Sequence, residues 1–275
     1  HKYVYMYLNN TAMESLIKKY KELGIDKTID HDKFNLISVV HHSTVLEGST
    51  LTEIEASVLI NDGLTPKGKP LEHSLMVTDH YKALVFVIEQ ANKKMPISVE
   101  LIKNIEAFVL KNTGSVYETM LGTVDATKGE FRKGNVMAGN TYFPNYDKVE
   151  RLMNDLVINI QNKMNTIQTI EDQLNLSFDA HFNMVSIHPF YDGNGRSSRL
   201  LMNYIQQYYN LPLAIVNSES KVDYIEALIE TREKNDISIF RNFMKQEYSS
   251  HLKAEIENFE KIIKPNKGLG FKFLF

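Results

Sequence analysis

The stretch 177–209, SFDAHFNMVSIHPFYDGNGRSSRLLMNYIQQYY, decides how this chain is read. In its first part Phe178, Phe182 and Val185 recur at helical spacing, with His181 on the same side. In its last part Leu200, Leu201, Tyr204, Ile205 and Tyr208 do the same. Between them lies HPFYDGNGRSSR (188–199), so the pattern is helix, tight glycine loop, helix. Gly193 and Gly195 let the backbone turn sharply and approach a ligand closely. A helix that starts there offers free N–H groups and the positive end of its dipole, which suits an anion.

Arg196 and Arg199 fall in the predicted first turn, and their guanidinium groups match phosphate oxygens. Cations at a helix N-terminus oppose the dipole by about 0.3–1 kcal/mol each, so a bound anion would explain the pair. Asp192 adds an acid that would repel phosphate unless a divalent cation bridges the two. His188, with an ordinary pKa of about 6.5, can take a proton from a hydroxyl at neutral pH. Singly, such a histidine is a cap or core residue and Gly-Asn-Gly is a turn. Together they predict a metal–phosphate loop with its own base. No Gly-Lys-Ser/Thr follows, so this is not a Walker loop, and no strand precedes it as a dinucleotide fingerprint requires.

Outward from this stretch, helical periodicity dominates. SVELIKNIEAFVLKN (98–112) has Ser98 as a predicted N-cap and Val99, Ile102, Ile105, Ala107 and Val109 as its stripe. TLTEIEASVLINDG (50–63) holds a capping box, Thr52 to Glu55, and a Gly63 stop. YDKVERLMNDLVINI puts Val149, Leu152, Met153, Leu156 and Ile160 on one face. KVDYIEALIETREKN and a long segment from about Asp236 to Ile263 predict two more helices. The exception is 128–146, where Gly134-Asn135 and Gly139-Asn140 interrupt short apolar pieces in the manner of a hairpin. The tail GLGFKFLF (268–275) is apolar and β-like, with no role assigned. His41 and His42 are adjacent, point different ways on a helix and lack an evident third ligand, so they read as structural or solvated.

The chain of 275 residues can bury a sizeable core, and with 43% hydrophobic and 24% charged residues its composition is that of a globular protein. Neither an internal repeat nor a low-complexity linker demands a second domain, so the expectation is one compact, all-α domain with a short β-hairpin. Net charge is −3, which argues against nucleic-acid or membrane partners, and no apolar run nears the ~18 residues that span a bilayer. The absence of cysteine excludes disulfides and zinc–thiolate sites and accords with the cytoplasm. The chain begins at His1, which leaves open a leader or a further N-terminal segment.

The stretch 188–199 resembles the signature of the Fic family, H-x-F-x-[D/E]-G-N-G-R-x-x-R, at His188, Phe190, Asp192, Gly193, Asn194, Gly195, Arg196 and Arg199. STVLEG (43–48) is similar to the family's inhibitory pattern, [S/T]-x-x-x-E-[G/N], and 131–156 to its flap and following helix. The likeness spans roughly 35–250 and points to the self-inhibited group with an N-terminal inhibitory helix. It implies a division into 1–34, of unassigned role, and 35–63, the inhibitory helix and its successor. A core over 64–250 and a helix end and tail over 251–275 complete it.

The resemblance implies transfer of AMP from ATP to a Ser, Thr or Tyr hydroxyl of a target protein. His188 would be the base, Asp192 would hold Mg²⁺, and Gly193, Asn194, Gly195 and Arg196 would cradle phosphate. Phe190 would anchor the loop, and the flap would hold the target by strand addition. Tyr224 would line the adenine pocket, although the usual Asn-x-Gly-Asp nearby reads EKND (233–236) here. Ser43 and Glu47 share a face of the predicted helix NLISVVHHSTVLEG (35–48), and Glu47 would pair with Arg199 and block the γ-phosphate. In some relatives the same glutamate supports removal of AMP. A homodimer is expected from the resemblance alone. Alternatives are UMP or phosphocholine transfer, or a non-catalytic regulatory module on the same scaffold. Gly195, where kinase-type relatives carry lysine, argues against phosphate transfer.

Overall fold

A computed structural model describes residues 10–25 and 31–263. The tail 268–275 lies outside the described residues. The elements run α1 (Asn10–Glu22), α2 (His31–Leu46), α3 (Glu53–Asp62), α4 (Leu71–Asn92), α5 (Val99–Val109), β1 (Val116–Tyr117), β2 (Val124–Asp125), β3 (Met137–Ala138), β4 (Thr141–Tyr142), α6 (Val149–Met164), α7 (Ile170–Ile187), α8 (Asn194–Tyr208), α9 (Lys221–Lys234) and α10 (Ile237–Ile263). The predicted class holds: the molecule is helical with a short β-hairpin.

Local chemistry explains where the helices begin and end. Thr52 and Glu55 form the reciprocal capping box of α3, and Gly63 closes it at φ 69°. Ser98 accepts the Leu101 N–H at the start of α5, and Thr169 accepts the Asp172 N–H at the start of α7. The stripe of α5 buries Ile102, Ile105 and Val109 as the periodicity predicts, and it also buries Glu106.

The helix after the glycine loop departs from the expected amphipathic pattern. Every residue of α8 from Arg196 to Gln206 is buried, because α7, α4, α5 and α2 surround it. Its polar side chains therefore need internal partners, and all but Arg196 Nε and Nη1 have them. Asn203 Nδ2 donates to Ala214 O at 3.0 Å, Gln206 Oε1 accepts Ala214 N at 2.8 Å, and Ser198 Oγ donates to Asn194 O at 2.6 Å. Apolar packing lies on both sides of this axis. One core joins α4, α5 and α6 to α8 around Phe190 and Tyr204. The other joins α1, α7, α9 and α10 around Phe178, Phe240 and Tyr248.

The 128–146 segment is a hairpin only at its tip. Met137 faces Tyr142 and Ala138 faces Thr141 across the Gly139-Asn140 turn. Gly134-Asn135 makes no second hairpin turn; Asn135 Oδ1 accepts the Tyr146 N–H at 3.0 Å instead. A further antiparallel pair, β1 with β2, was not anticipated. Among the described residues no helix is long and apolar enough to cross a membrane.

Candidate active site

The loop is built by the end of α7 and the start of α8. His188 closes α7 in the left-handed region, φ 53°, where a residue other than glycine is strained. Asn194 holds the loop shut: its Oδ1 accepts Phe190 N and its Nδ2 donates to Phe190 O, both at 2.9 Å. The Asn194 amide thus shapes the loop with its oxygen and one of its two N–H donors. Gly193 caps α8 at φ 77°, with no side-chain cap over those groups. It must be glycine twice over, since an added Cβ would also collide with the Glu106 carboxyl.

The predicted first-turn arginines diverge. Arg196 is in the first turn and buried; one nitrogen meets Asp192 Oδ1 at 3.4 Å, and its Nε and Nη1 have no partner. Arg199 is the sixth residue of α8, beyond the first turn, and faces α2. Its Nε donates to Ser43 Oγ at 2.8 Å, and its Nη2 donates to Ser43 O at 3.0 Å and Glu47 Oε1 at 2.6 Å. Glu47 sits one residue past the end of α2, in a turn closed by its own N–H on Thr44 O at 3.1 Å. Gly195 is helical, and an added Cβ there would strike Glu47 Oε1.

His188, Gly195, Arg199, Tyr224 and Glu47 line one cavity of about 260 Å³, with Phe143 of the flap across it. Asp192, on the loop, and Arg196, in the first turn of α8, are not part of its lining. The Phe143 and His188 rings stack at 3.9 Å between centroids and 14° between planes. Tyr224 is buried, its hydroxyl 2.8 Å from His181 Nε2. His41 and His42 stay apart from the cavity; His42 Nδ1 meets Ser218 Oγ at 3.0 Å.

Electrostatics follow from burial. Burial pushes the His188 imidazole down to about 4, so it is neutral across the physiological range. The Val185 carbonyl lies 3.3 Å from Nδ1 and favours the tautomer that leaves Nε2 its lone pair. Burial opposes the Glu47 charge, but the Arg199 guanidinium outweighs it and holds the carboxyl below its ordinary range. Burial, reinforced by Arg199 and Arg196, keeps His80 neutral.

Burial lifts the Glu106 carboxyl to about 8, against the lowering effects of the Ser197 hydrogen bond and Arg196. This acid is therefore protonated when folded and ionised when unfolded through the range from about 4.5 to about 8. Its contribution is complete below the lower value and falls by about 1.4 kcal/mol per pH unit as pH rises through the window. Glu106→Gln lacks that slope. Urea unfolding is expected to show the variant gaining about 2 kcal/mol on wild type between pH 6 and pH 8. Equal slopes would show that Glu106 is ionised in the fold.

Glu106, Arg132, Phe143 and Arg232 escaped the sequence reading. Glu106 alone left a signal, an acid one turn after Ile102 in the apolar stripe. Arg132 has none, because its partners are backbone carbonyls. Its Nε donates to His188 O at 2.7 Å, its Nη1 to Gly134 O at 2.8 Å and its Nη2 to Pro144 O at 2.5 Å. Arg132→Lys replaces a planar fork by a single ammonium and leaves acceptors unmet. A loss of about 2 kcal/mol is expected in denaturant unfolding, and an unchanged midpoint would contradict this role.

Residues 96–206 match the model of the Fic/DOC family. Among curated proteins the chain is similar to "Protein adenylyltransferase Fic" of Aedes aegypti, at 27% identity over 78% of this chain and 40% of that protein. It is also similar to the protein of that name from Culex quinquefasciatus, at 26% over 86% and 46%. The chain thus spans less than half the length of these relatives. Among solved structures, a Fic domain containing signaling protein from Bacteroides thetaiotaomicron shares the fold, with a TM-score of 0.77 at 23% identity over 90% of this chain and 97% of that one. Fic-1 (residues 134–508) from C. elegans gives 0.72 at 22% over 92% and 73%.

Proposed function

With residues 96–206 forming a Fic/DOC-family domain, we propose that this chain transfers AMP from ATP to a Ser, Thr or Tyr hydroxyl of a target protein and is held off by Glu47. One observation carries the reading: a neutral, tautomer-fixed His188 shares a cavity with the start of an uncapped helix, beside a buried Arg196 that has two unpartnered nitrogens. A base next to an anion-binding helix start is the equipment that phosphoryl-centre substitution requires.

His188 Nε2 takes the hydroxyl proton as the oxygen attacks the α-phosphorus. The bond from that phosphorus to the bridging oxygen breaks, and pyrophosphate leaves with the electron pair. The N–H groups at the start of α8 and the Arg196 guanidinium take up the charge on the phosphate oxygens. Asn194, bound to Phe190 on both sides, keeps the loop in the shape that aims those groups.

The residues also fit Mg²⁺. Asp192 is exposed and sits at the mouth of the anion site, with Oδ1 occupied by the Gly193 N–H at 2.6 Å. Among the described residues no three His, Asp or Glu side chains converge. Asp192 would therefore supply one carboxylate, as suits a metal that arrives on nucleotide phosphates. When bound, Mg²⁺ would neutralise charge on the α- and β-phosphates.

The target segment docks on the flap. Met137 and Tyr142 are exposed at its tip, and its backbone can add a strand beside the stacked His188 ring. Tyr224 borders the nucleotide. A homodimer and a cytoplasmic location belong to the same reading; they rest on the resemblance and on the cysteine-free composition.

The test is incorporation of label from [α-³²P]ATP with Mg²⁺ into the protein itself and into lysate proteins, comparing wild type, Glu47→Gly and Glu47→Gly/His188→Ala. Label that appears with Glu47→Gly and vanishes with the second substitution is the expected result. A lysate and protein that stay unlabelled by every variant would overturn the proposal.

A further inference from the structure

The cavity wall formed by α9 carries a feature that AMP transfer does not use. Ile225, Leu228, Ile229 and Arg232 recur along one face of α9 and all line the cavity. Tyr224, at the start of this wall, lines the cavity together with Arg199, so the wall begins at the anion-binding end. Eight residues of helix later, about 12 Å on, stands Arg232. That is the reach from a nucleotide's outer phosphates to its base. Val185, Leu228 and Ile229 make the intervening surface apolar, as a planar base requires.

Arg232 differs from the other arginines of the site. Arg199 is paired with Glu47 and Arg196 with Asp192. Among the described residues Arg232 has one hydrogen-bond partner, Ser186 Oγ at 3.3 Å, and no carboxylate. Burial without an acid beside it lowers its pKa, and the nearby Tyr224 offsets this only in part. Its remaining donors are not sealed in the core, since none of its nitrogens is among the buried unpartnered atoms. A half-buried guanidinium with spare donors on a ligand cavity calls for an acceptor on the ligand.

A guanidinium offers donors only. Guanine presents O6 and N7 as adjacent acceptors, the edge that arginine grips with two bonds; adenine presents N7 next to the N6 amino donor, which opposes a second bond. We propose that Arg232 reads the nucleobase edge and that this site takes a 6-oxopurine nucleoside triphosphate at least as well as ATP. The inference rests on the nucleotidyl-transfer reading and widens its donor. The chemistry at the α-phosphorus is the same for either base.

The test is competition binding in the Glu47→Gly background with Mg²⁺, where ATP, GTP and ITP displace a fluorescent nucleotide. ITP isolates O6 and N7 from the guanine amino group. GTP and ITP are expected to compete at concentrations no higher than ATP. Arg232→Gln, whose amide pairs with N6 and N7 of adenine, is expected to shift the ATP-to-GTP ratio toward ATP by roughly tenfold. Each ratio is taken within one protein, so a general loss of fold or affinity does not produce it. If ATP is strongly preferred and the ratio ignores residue 232, the inference falls while nucleotide transfer stands. If no nucleotide binds, the transfer reading falls and takes the inference with it.

Discussion

Glu47→Gly is expected to raise incorporation of label from [α-³²P]ATP by roughly 10²-fold over wild type. Glu47 occupies the two groups a triphosphate needs most. Its carboxylate lies 2.6 Å from Arg199 Nη2, and the same oxygen fills the space left by the missing Cβ of Gly195. A nucleotide that places a phosphate at Arg199 must first displace that carboxylate, against a charge-assisted hydrogen bond with a largely desolvated guanidinium. A bias of about 2–3 kcal/mol toward the closed arrangement gives the stated factor. Removing Glu47 does not unmoor Arg199, because Ser43 still takes bonds from its Nε and Nη2. Glu47→Gln should fall between the two, since it keeps the shape and loses the charge. Label no higher in Glu47→Gly than in wild type would refute the gate.

His188→Ala, introduced into Glu47→Gly, is expected to lower the transfer rate by roughly 10³-fold. ATP binding should change little, because the phosphate contacts come from the α8 terminus and the arginines. The pH profile separates a base from a mere wall of the cavity. Burial sets the His188 pKa at about 4, and Glu47 is one of the charges that raise it. Without Glu47 the imidazole stays neutral to still lower pH. Since the base must be neutral to work, kcat/KM in Glu47→Gly should hold from pH 7 down to about 5 and fall only below that. A loss of activity centred near pH 6.5 would mean that His188 is solvated when it acts.

The sequence disclosed what is local. Thr52, Ser98 and Gly63 announce helix ends within three residues of themselves, and their caps form as written. The loop 188–199 was legible because base, acid, turn and arginines are contiguous. Ser43 and Glu47 carry no local sign of their partner, which lies more than 150 residues away; only the resemblance paired them with Arg199. Arg132 was invisible for the same reason, since an arginine that binds carbonyls looks like a surface charge in a sequence, whereas Glu106 showed only as an acid set in an apolar stripe. The β1–β2 pair is two residues long on each side, too short for any alternation to register. The full burial of α8 was illegible too: its serines, Asn203 and Gln206 mimic a solvent face until the fold supplies their partners from α5, α7, the loop at Ala214 and α8 itself.

Under the proposed reaction, one of these contacts would bear on how a target is chosen. Because a single guanidinium, Arg132, ties the carbonyls of Gly134 and Pro144 to that of His188, the flap and the turn that carries His188 are coupled as one lever rather than a hinge beside an anvil. A segment that bent the flap as it seated would then pull on the histidine as well. Selection would then work through mechanical tolerance, with rate, more than affinity, separating good substrates from poor ones.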